Sequence, residues 1–155
     1  MQKTYLCIDL KSFYASVECV ELGLDPFEVN LVVADPTRGG GAITLAATPA
    51  IKKLGVPSRG RIFEIDPKIE YMIAPPRMHL YMEYSCKVYK VFLEFIAKED
   101  IHVYSIDESF LDVTSYLKLY QVNAKELAKK MLDRIYEKTG LTATVGIGTN
   151  LYLAK

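Results

Sequence analysis

Three carboxylates stand at positions where strand-like stretches of this sequence end. The apolar run Tyr5–Ile8 stops at Asp9, and Asp107 and Glu108 lie between two further stretches of strand character. Carboxylates gathered at one place repel one another and need a cation, and hard oxygen ligands favour Mg²⁺ or Mn²⁺. Two such ions, about 3.5–4 Å apart, suit an in-line displacement at phosphorus. The residue types therefore indicate metal-dependent phosphoryl chemistry.

Each of these acidic residues also has an ordinary structural explanation. An Asp-Glu pair is typical of a polar hairpin turn, and Asp9 precedes a helix that it could cap. Taken singly, each residue favours that explanation. Three carboxylates at strand ends of one sheet favour the metal site instead.

The elements that would position these residues are predicted from apolar spacing. A helix capped by Ser12 follows the first strand, and a long amphipathic helix runs through Tyr81–Phe95. Asn123 with Glu126 resembles a capping box in front of another helix. Without residues 21–77, the order is strand, helix, strand, strand, helix, strand. This order predicts an α+β fold with the ferredoxin-like split βαβ arrangement, in which the strands that bear the three carboxylates are neighbours.

Residues 21–77 differ in character and are predicted to form a small inserted α+β subdomain. Leu31–Ala34 and Ala42–Ala46 read as a hairpin around a glycine-rich loop, and Pro49 can start a short helix. Prolines keep the chain irregular or extended from Pro67 to about Arg77. The segment is locally basic, which suits contacts with phosphate groups, although a solvated charged face explains these residues nearly as well.

Composition limits the class of protein. The 155 residues are half hydrophobic and carry no net charge, which is the balance of one globular domain and argues against a free-standing nucleic-acid binder. The 3 cysteines show no metal-ligand or disulfide spacing, which predicts reduced thiols. We find no signal peptide and no apolar run of membrane-spanning length. These features predict a soluble cytoplasmic protein without a membrane partner.

Several motifs resemble those of the Y-family, or lesion-bypass, DNA polymerases. Asp9–Glu18 (DLKSFYASVE) is similar to the family's opening motif, and Tyr104–Asp112 (YSIDESFLD) to its central catalytic signature. Val145–Lys155 (VGIGTNLYLAK) is similar to the third motif, and Lys52–Val56 to a segment of the fingers. The spacing agrees along the whole chain, and the detail resembles the bacterial UmuC-type branch. The resemblance implies the N-terminal palm and fingers of a longer enzyme.

The resemblance implies a metal-binding role for four residues and a two-metal reaction. Asp9 and Asp107 would bridge two Mg²⁺ ions, or Mn²⁺ in their place. Glu108 would complete the catalytic metal site, and the backbone carbonyl of Leu10 would add a ligand. The reaction would be attack of a primer 3′-OH on the α-phosphate of a dNTP.

The resemblance also implies nucleotide-binding residues. Tyr14 falls at the steric-gate position, where a ring closes the space that a ribose 2′-OH would need, and Phe13 would pack beneath the sugar. Lys52 and Lys155 fall where the family places cations on the triphosphate. Lysine at position 52, where relatives have arginine, gives a point charge instead of a bidentate fork.

The resemblance further implies domains and partners. The palm would comprise residues 1–20 and 78–155, and the fingers residues 21–77. The thumb and little-finger domains would lie outside this chain, so the chain alone would be inactive. Primer–template DNA would be the partner in translesion synthesis after DNA damage, as in an SOS response. A sliding clamp or regulatory protein would bind through the missing C-terminal region.

Two other functions fit a ferredoxin-like sheet. A nucleotidyl cyclase shares the sheet and metal-binding carboxylates but lacks the insertion and the gate. A non-catalytic nucleic-acid-binding module of the RRM type places aromatic residues on its two central strands, whereas here those strands deliver carboxylates. The sequence therefore favours the polymerase.

Overall fold

The computed structural model describes residues 2–150. The chain divides into two compact units. The sheet unit comprises the residues up to Lys11 and those from Met82 onward, and the inserted unit comprises Ser12–Tyr81. The predicted limits of palm and fingers, after residues 20 and 77, stay predictions.

The sheet unit contains a four-stranded sheet. Its strands are β1 (Tyr5–Leu10), β5 (Ile101–Ser105), β6 (Glu108–Asp112) and β7 (Ala143–Gly148), in the spatial order β5-β6-β1-β7. Strand β6 is antiparallel to both β1 and β5, so β1 and β5 run in the same direction with β6 between them. Strand β7 is antiparallel to β1 at the far edge. This is the split βαβ arrangement, and the predicted ferredoxin-like α+β fold is confirmed.

Helices supply the apolar cover that this sheet needs. They are α3 (Met78–Phe95, in this unit from Met82), α4 (Thr114–Leu119) and α5 (Ala124–Thr139). Helix α5 begins as predicted, because the side chain of Asn123 accepts a hydrogen bond from the backbone N–H of Glu126 at 2.8 Å. Its buried stripe includes Leu127, Met131 and Ile135, and it ends at Gly140 in the left-handed conformation.

The inserted unit is built around a three-stranded sheet. Its elements are α1 (Phe13–Leu22), β2 (Leu31–Val33), β3 (Ala46–Ala47), α2 (Pro49–Lys52) and β4 (Met72–Ala74). Strand β2 is central, antiparallel to β3 and parallel to β4. A small core of Val32, Ala47, Ile51, Val56 and Ile65 lies within this unit.

Two local expectations for the inserted unit were wrong, and a third was incomplete. The return strand expected at Ala42–Ala46 is only Ala46–Ala47, and the loop before it is a 3₁₀ segment, Pro36–Gly41. The stretch before Arg77, expected to be irregular or extended, is extended in part, because it contains strand β4, which was not predicted as a strand. The side chain of Ser12 makes no capping bond. Ser12 adopts a left-handed conformation (φ 47°), and its carbonyl accepts from the N–H of Ser16 at 2.8 Å.

The predictions for residues 151–155, including the triphosphate contact of Lys155, lie outside the residues that the structure describes. Among residues 2–150, no helix has both the length and the apolar character needed to cross a membrane.

Candidate active site

The backbone brings the three predicted acidic residues to one end of the central strand pair. Asp9 on β1 lies directly opposite Glu108 on β6 in the strand register. The backbone N–H of Leu10 donates to the carbonyl of Asp107 at 2.8 Å, which ties the β5–β6 turn to the end of β1. Most of β1 is buried, but Asp9 near its end is exposed between buried Ile8 and Leu10. The predicted convergence of these strand ends is therefore found in the backbone.

Local hydrogen bonds orient two of the three carboxylates. The hydroxyl of Ser105 donates to Oδ1 of Asp107 at 2.9 Å. The thiol of Cys7 donates to Oε1 of Glu108 at 3.5 Å. Cys7 and Asp9 are two residues apart on one strand, so they share a face of the sheet, and the bond draws Glu108 towards that face.

The side chains do not form a ready-made set of ligands. Between residues 2 and 150, no group of three or more His, Cys, Asp or Glu side chains is arranged to hold a metal ion. The donor types nevertheless fit a hard divalent cation, because carboxylate oxygens are what Mg²⁺ prefers. The structure thus brings the backbone of these residues together, and their oxygen atoms are of a type that suits such a cation. The roles of Asp9, Leu10, Asp107 and Glu108 as ligands remain predictions.

A serine on helix α3 anchors the turn that bears the acidic pair. The hydroxyl of Ser85 donates to the backbone carbonyl of Ile106 at 2.8 Å. Ser85, Ile106 and Asp107 also line a small cavity between α3 and the sheet. Local spacing could reveal only the Ser105 bond, because a Ser-x-Asp sequence favours side-chain hydrogen bonds within a turn, whereas Ser85 and Ile106 are 21 residues apart.

The aromatic residues predicted to contact a nucleotide belong to the inserted unit. Phe13 is buried and Tyr14 is half-buried in the first turn of α1. The ring of Tyr14 stacks on that of Tyr81, with centroids 4.4 Å apart and planes inclined by 13°. The ring of Phe13 packs edge-on against that of Tyr81, with the ring centroids 6.4 Å apart. A stack of this kind gives Tyr14 a defined ring plane.

A buried carboxylate next to this stack was missed by the sequence analysis. Glu18 on α1 is only 3% exposed. It accepts from the Tyr81 hydroxyl at 2.7 Å and from the Arg77 guanidinium at 2.5 and 3.2 Å. Burial, followed by the hydrogen bond to Glu18, raises the pKa of Tyr81 above its usual range, so this phenol stays a donor. No local pattern reveals the cluster, because its members are 59 and 63 residues apart.

The predicted cations of the inserted unit are at its surface. Lys52 is the exposed last residue of α2. The nearby basic side chains are exposed too: Arg38, Lys53, Arg59 and Arg61. Arg61 donates to the carbonyl of Gly41 at 2.6 Å, which ties two loops of this unit together. Contact of Lys52 with a triphosphate stays a prediction.

Comparisons with known proteins agree with this architecture. The chain is 41% identical to UvrX of Bacillus subtilis (strain 168), whose name links it to UV-damage repair, over 99% of this chain and 36% of that protein. It is 37% identical to DNA polymerase IV 2 of the same organism, over 99% of this chain and 37% of that protein. The chain thus spans a little more than one third of the length of these relatives.

A solved structure and a family model point the same way. The structure of a Y-family DNA polymerase chimera matches with a TM-score of 0.81 and 28% identity, over 97% of this chain and 44% of the other. Residues 8–155 match the model of the impB/mucB/samB family. The strand order, the positions of the acidic residues and these matches together show that the chain belongs to the impB/mucB/samB family, as its resemblance to Y-family polymerases predicted.

Proposed function

We propose that this chain is the catalytic palm and fingers of an error-prone translesion DNA polymerase, which adds a nucleotide from a dNTP to a primer 3′-OH on a template. The observation that supports this most is the strand pair that sets Asp9 opposite Glu108 and bonds Leu10 to Asp107, in a chain of this family. The printed names of the relatives, which refer to UV-damage repair and to DNA polymerase IV, agree with it.

The wider setting of the proposal follows the family. Residues 1–20 and 78–155 would be the palm and 21–77 the fingers, with thumb and little-finger domains outside these residues. The intact enzyme would bind primer–template DNA in the cytoplasm after DNA damage, within an SOS response. A sliding clamp or regulatory protein would bind outside the present chain.

The acidic residues would hold two Mg²⁺ ions, with Mn²⁺ able to replace them. Asp9, Asp107 and Glu108 would be the carboxylate ligands and the Leu10 carbonyl a further one. When bound, such ions lower the pKa of the attacking hydroxyl and stabilise the leaving pyrophosphate. Ser105 and Cys7 would limit the rotation of Asp107 and Glu108, so that less orientational freedom is lost when the ligands assemble.

The remaining predicted residues would bind the incoming nucleotide. Tyr14, held in plane by its stack on Tyr81, would leave no space for a ribose 2′-OH. Phe13 would pack beneath the sugar. Lys52 and Lys155 would neutralise charge that develops on the triphosphate as the pyrophosphate leaves.

The proposal is tested by primer extension with the natural protein that contains this sequence. Asp9→Asn, Asp107→Asn and Glu108→Gln each keep the side-chain size and remove a charge. Each should lower kcat/KM by a factor of roughly 10³ or more, because the lost ligand stabilises charge in the transition state. Asp112→Asn is the matched control, since Asp112 lies on β6 at the other end of the pair, opposite Tyr5, and bonds locally to Thr114.

The control should keep nearly full activity, and chelation of divalent ions should abolish the activity of the parent protein. Equal losses in the Asp112 variant and in the three site variants would contradict a role at the reacting centre.

A further inference from the structure

Within the inserted unit, the ring of Tyr14 rests on a tyrosine that is itself fixed at its far end. Tyr81 is fully buried, and its ring lies nearly parallel to that of Tyr14. Its hydroxyl donates to Oε2 of Glu18 at 2.7 Å. Tyr81 is therefore restrained by packing along its length and by a charge-assisted hydrogen bond at its tip.

The carboxylate that receives this bond is held in turn. Arg77 donates from Nε to Oε2 at 3.2 Å and from Nη2 to Oε1 at 2.5 Å. A two-point guanidinium–carboxylate contact fixes the plane of the carboxylate as well as its position. Arg77 is about half exposed whereas Glu18 is buried, so a guanidinium at the protein surface neutralises the charge of a carboxylate in the interior.

A buried carboxylate is costly, and an apolar side chain at position 18 would pack without that cost. Two of the hydrogen bonds at Glu18 come from Arg77, just before α3, and the third comes from Tyr81, the residue whose ring lies against Tyr14. A continuous series of contacts thus connects Arg77 with Glu18, Glu18 with Tyr81, and Tyr81 with the ring of Tyr14.

We infer that Glu18, acting through Tyr81, is a positioning residue that fixes the ring of Tyr14 and so sets the discrimination between deoxyribonucleotides and ribonucleotides. The inference rests on the proposed function, in which Tyr14 contacts the sugar of the incoming nucleotide. Glu18 would contact neither the nucleotide nor the metal ions. A Tyr14 ring without a fixed support could tilt away from the sugar, and a ribose would then be accepted more often.

The test uses the natural protein that contains this sequence, four variants of the cluster and its control, and Tyr14→Ala as a reference. Tyr81→Phe keeps the ring and removes its hydroxyl, Glu18→Gln keeps the size and removes the charge, and Tyr81→Leu removes the stacking partner. Tyr84→Phe is the matched control, because Tyr84 is also buried on α3, one turn further along, and this variant likewise keeps the ring and removes a hydroxyl.

The first measurement is kcat/KM for a dNTP and for the matching rNTP opposite one template base. Tyr81→Leu should raise the rNTP-to-dNTP ratio by a factor of roughly 5–10, and Tyr81→Phe and Glu18→Gln by roughly 2–3, in line with the loss of a whole contact and of one hydrogen bond. Tyr84→Phe should leave the ratio unchanged. A purely structural role would lower both values together and leave the ratio as it is, which would overturn the inference.

The second measurement does not depend on activity. Fluorotyrosine placed at position 14 reports the environment and mobility of that ring by ¹⁹F NMR. Its signal should shift and narrow in Tyr81→Phe and Glu18→Gln, which keep the buried volume and should fold even if Tyr81→Leu does not. An unchanged signal in both would overturn the inference.

The Tyr14→Ala variant distinguishes failure of the positioning role of Glu18 and Tyr81 from failure of the proposed sugar gate at Tyr14. If Tyr14→Ala raises the ratio while the Tyr81 and Glu18 variants do not, the positioning role fails and the proposed sugar gate stands. If Tyr14→Ala itself leaves the ratio unchanged, the gate fails and the inference with it.

Discussion

The thiol of Cys7 donates a hydrogen bond to the carboxylate of Glu108, across the strand pair that sets Asp9 opposite Glu108. The sulfur lies 3.5 Å from Oε1, and Cys7 is 5% exposed. A residue that reads as a plain buried hydrophobe in the sequence is thus in contact with a proposed metal ligand.

The first prediction concerns this contact. Cys7→Ala should raise the Mg²⁺ concentration needed for half-maximal primer extension by a factor of about 2–5, because a weak hydrogen bond that orients Glu108 is lost. The maximal rate at saturating Mg²⁺ should change less. Cys86→Ala is the control, since Cys86 is exposed on α3. A Mg²⁺ requirement equal in both variants would leave Cys7 as a packing residue.

The second prediction concerns the serine that holds Asp107. Ser105→Ala removes the hydroxyl that donates to Oδ1 of Asp107 and should lower kcat/KM by a factor of roughly 3–10. Ser105→Thr keeps a hydroxyl and should restore most of the activity. Ser115→Ala, at an exposed position on α4, serves as the control. A threonine variant as poor as the alanine variant would show that Ser105 matters by its size and not by its hydrogen bond.

Features formed by residues close together in the sequence could be predicted, whereas those formed by residues far apart in the sequence could not. The α5 start at Asn123 and the strand order follow from local spacing and a known topology, and the structure has both. The Glu18–Arg77–Tyr81 cluster could not be predicted, because it joins a helix of one motif to residues some sixty positions later. Strand β4 was missed for a related reason, since three residues between prolines become a strand only by pairing with β2.

In the candidate active site, the backbone positions could be predicted from the sequence, but the side-chain directions could not. The pairing of β1 with β6 follows from the topology, so the shared position of Asp9, Asp107 and Glu108 was predictable. The directions of their side chains were not, because they depend on Ser105 and Cys7, whose partners are decided by rotamers and register. The register of β5 with β6 also shifts between Val103 and Ser105, and such an irregularity changes the direction of the side chains beside the turn.

The third prediction is a pH dependence of stability caused by Cys19. Burial, with the nearby carboxylates of Asp25 and then Glu18, raises the pKa of this thiol from its ordinary value of 9.0 to about 11. Above pH 9 the unfolded chain loses the proton while the folded chain keeps it, so stability is complete below pH 9 and falls as the pH rises towards 11. At pH 10.5 the loss should be about 2 kcal/mol.

Urea unfolding at pH 8 and pH 10.5 measures this loss, and the comparison with Cys19→Ala isolates it from other alkaline titrations. The alanine variant should lose less stability between the two pH values than the parent. Cys86→Ala, which removes an exposed thiol, should behave as the parent does. Equal pH slopes in all three proteins would assign the alkaline loss to other groups.

The last prediction concerns the choice of sugar, because general two-metal chemistry does not explain it. Tyr14 is half-buried and lies in a fixed plane against Tyr81. In the proposed enzyme this ring would lie against C2′ of the incoming nucleotide, so a 2′-OH would collide with it while a deoxyribose would not. Tyr14→Ala should therefore raise the ratio of kcat/KM for rNTP to that for dNTP by a factor of about 10 or more, which requires only ~1.4 kcal/mol of steric discrimination. Tyr14→Phe keeps the ring and should keep the discrimination. If Tyr14→Ala lowers both values in proportion, with a matching fall in the free energy of unfolding, then Tyr14 is a packing residue and the sugar is selected elsewhere.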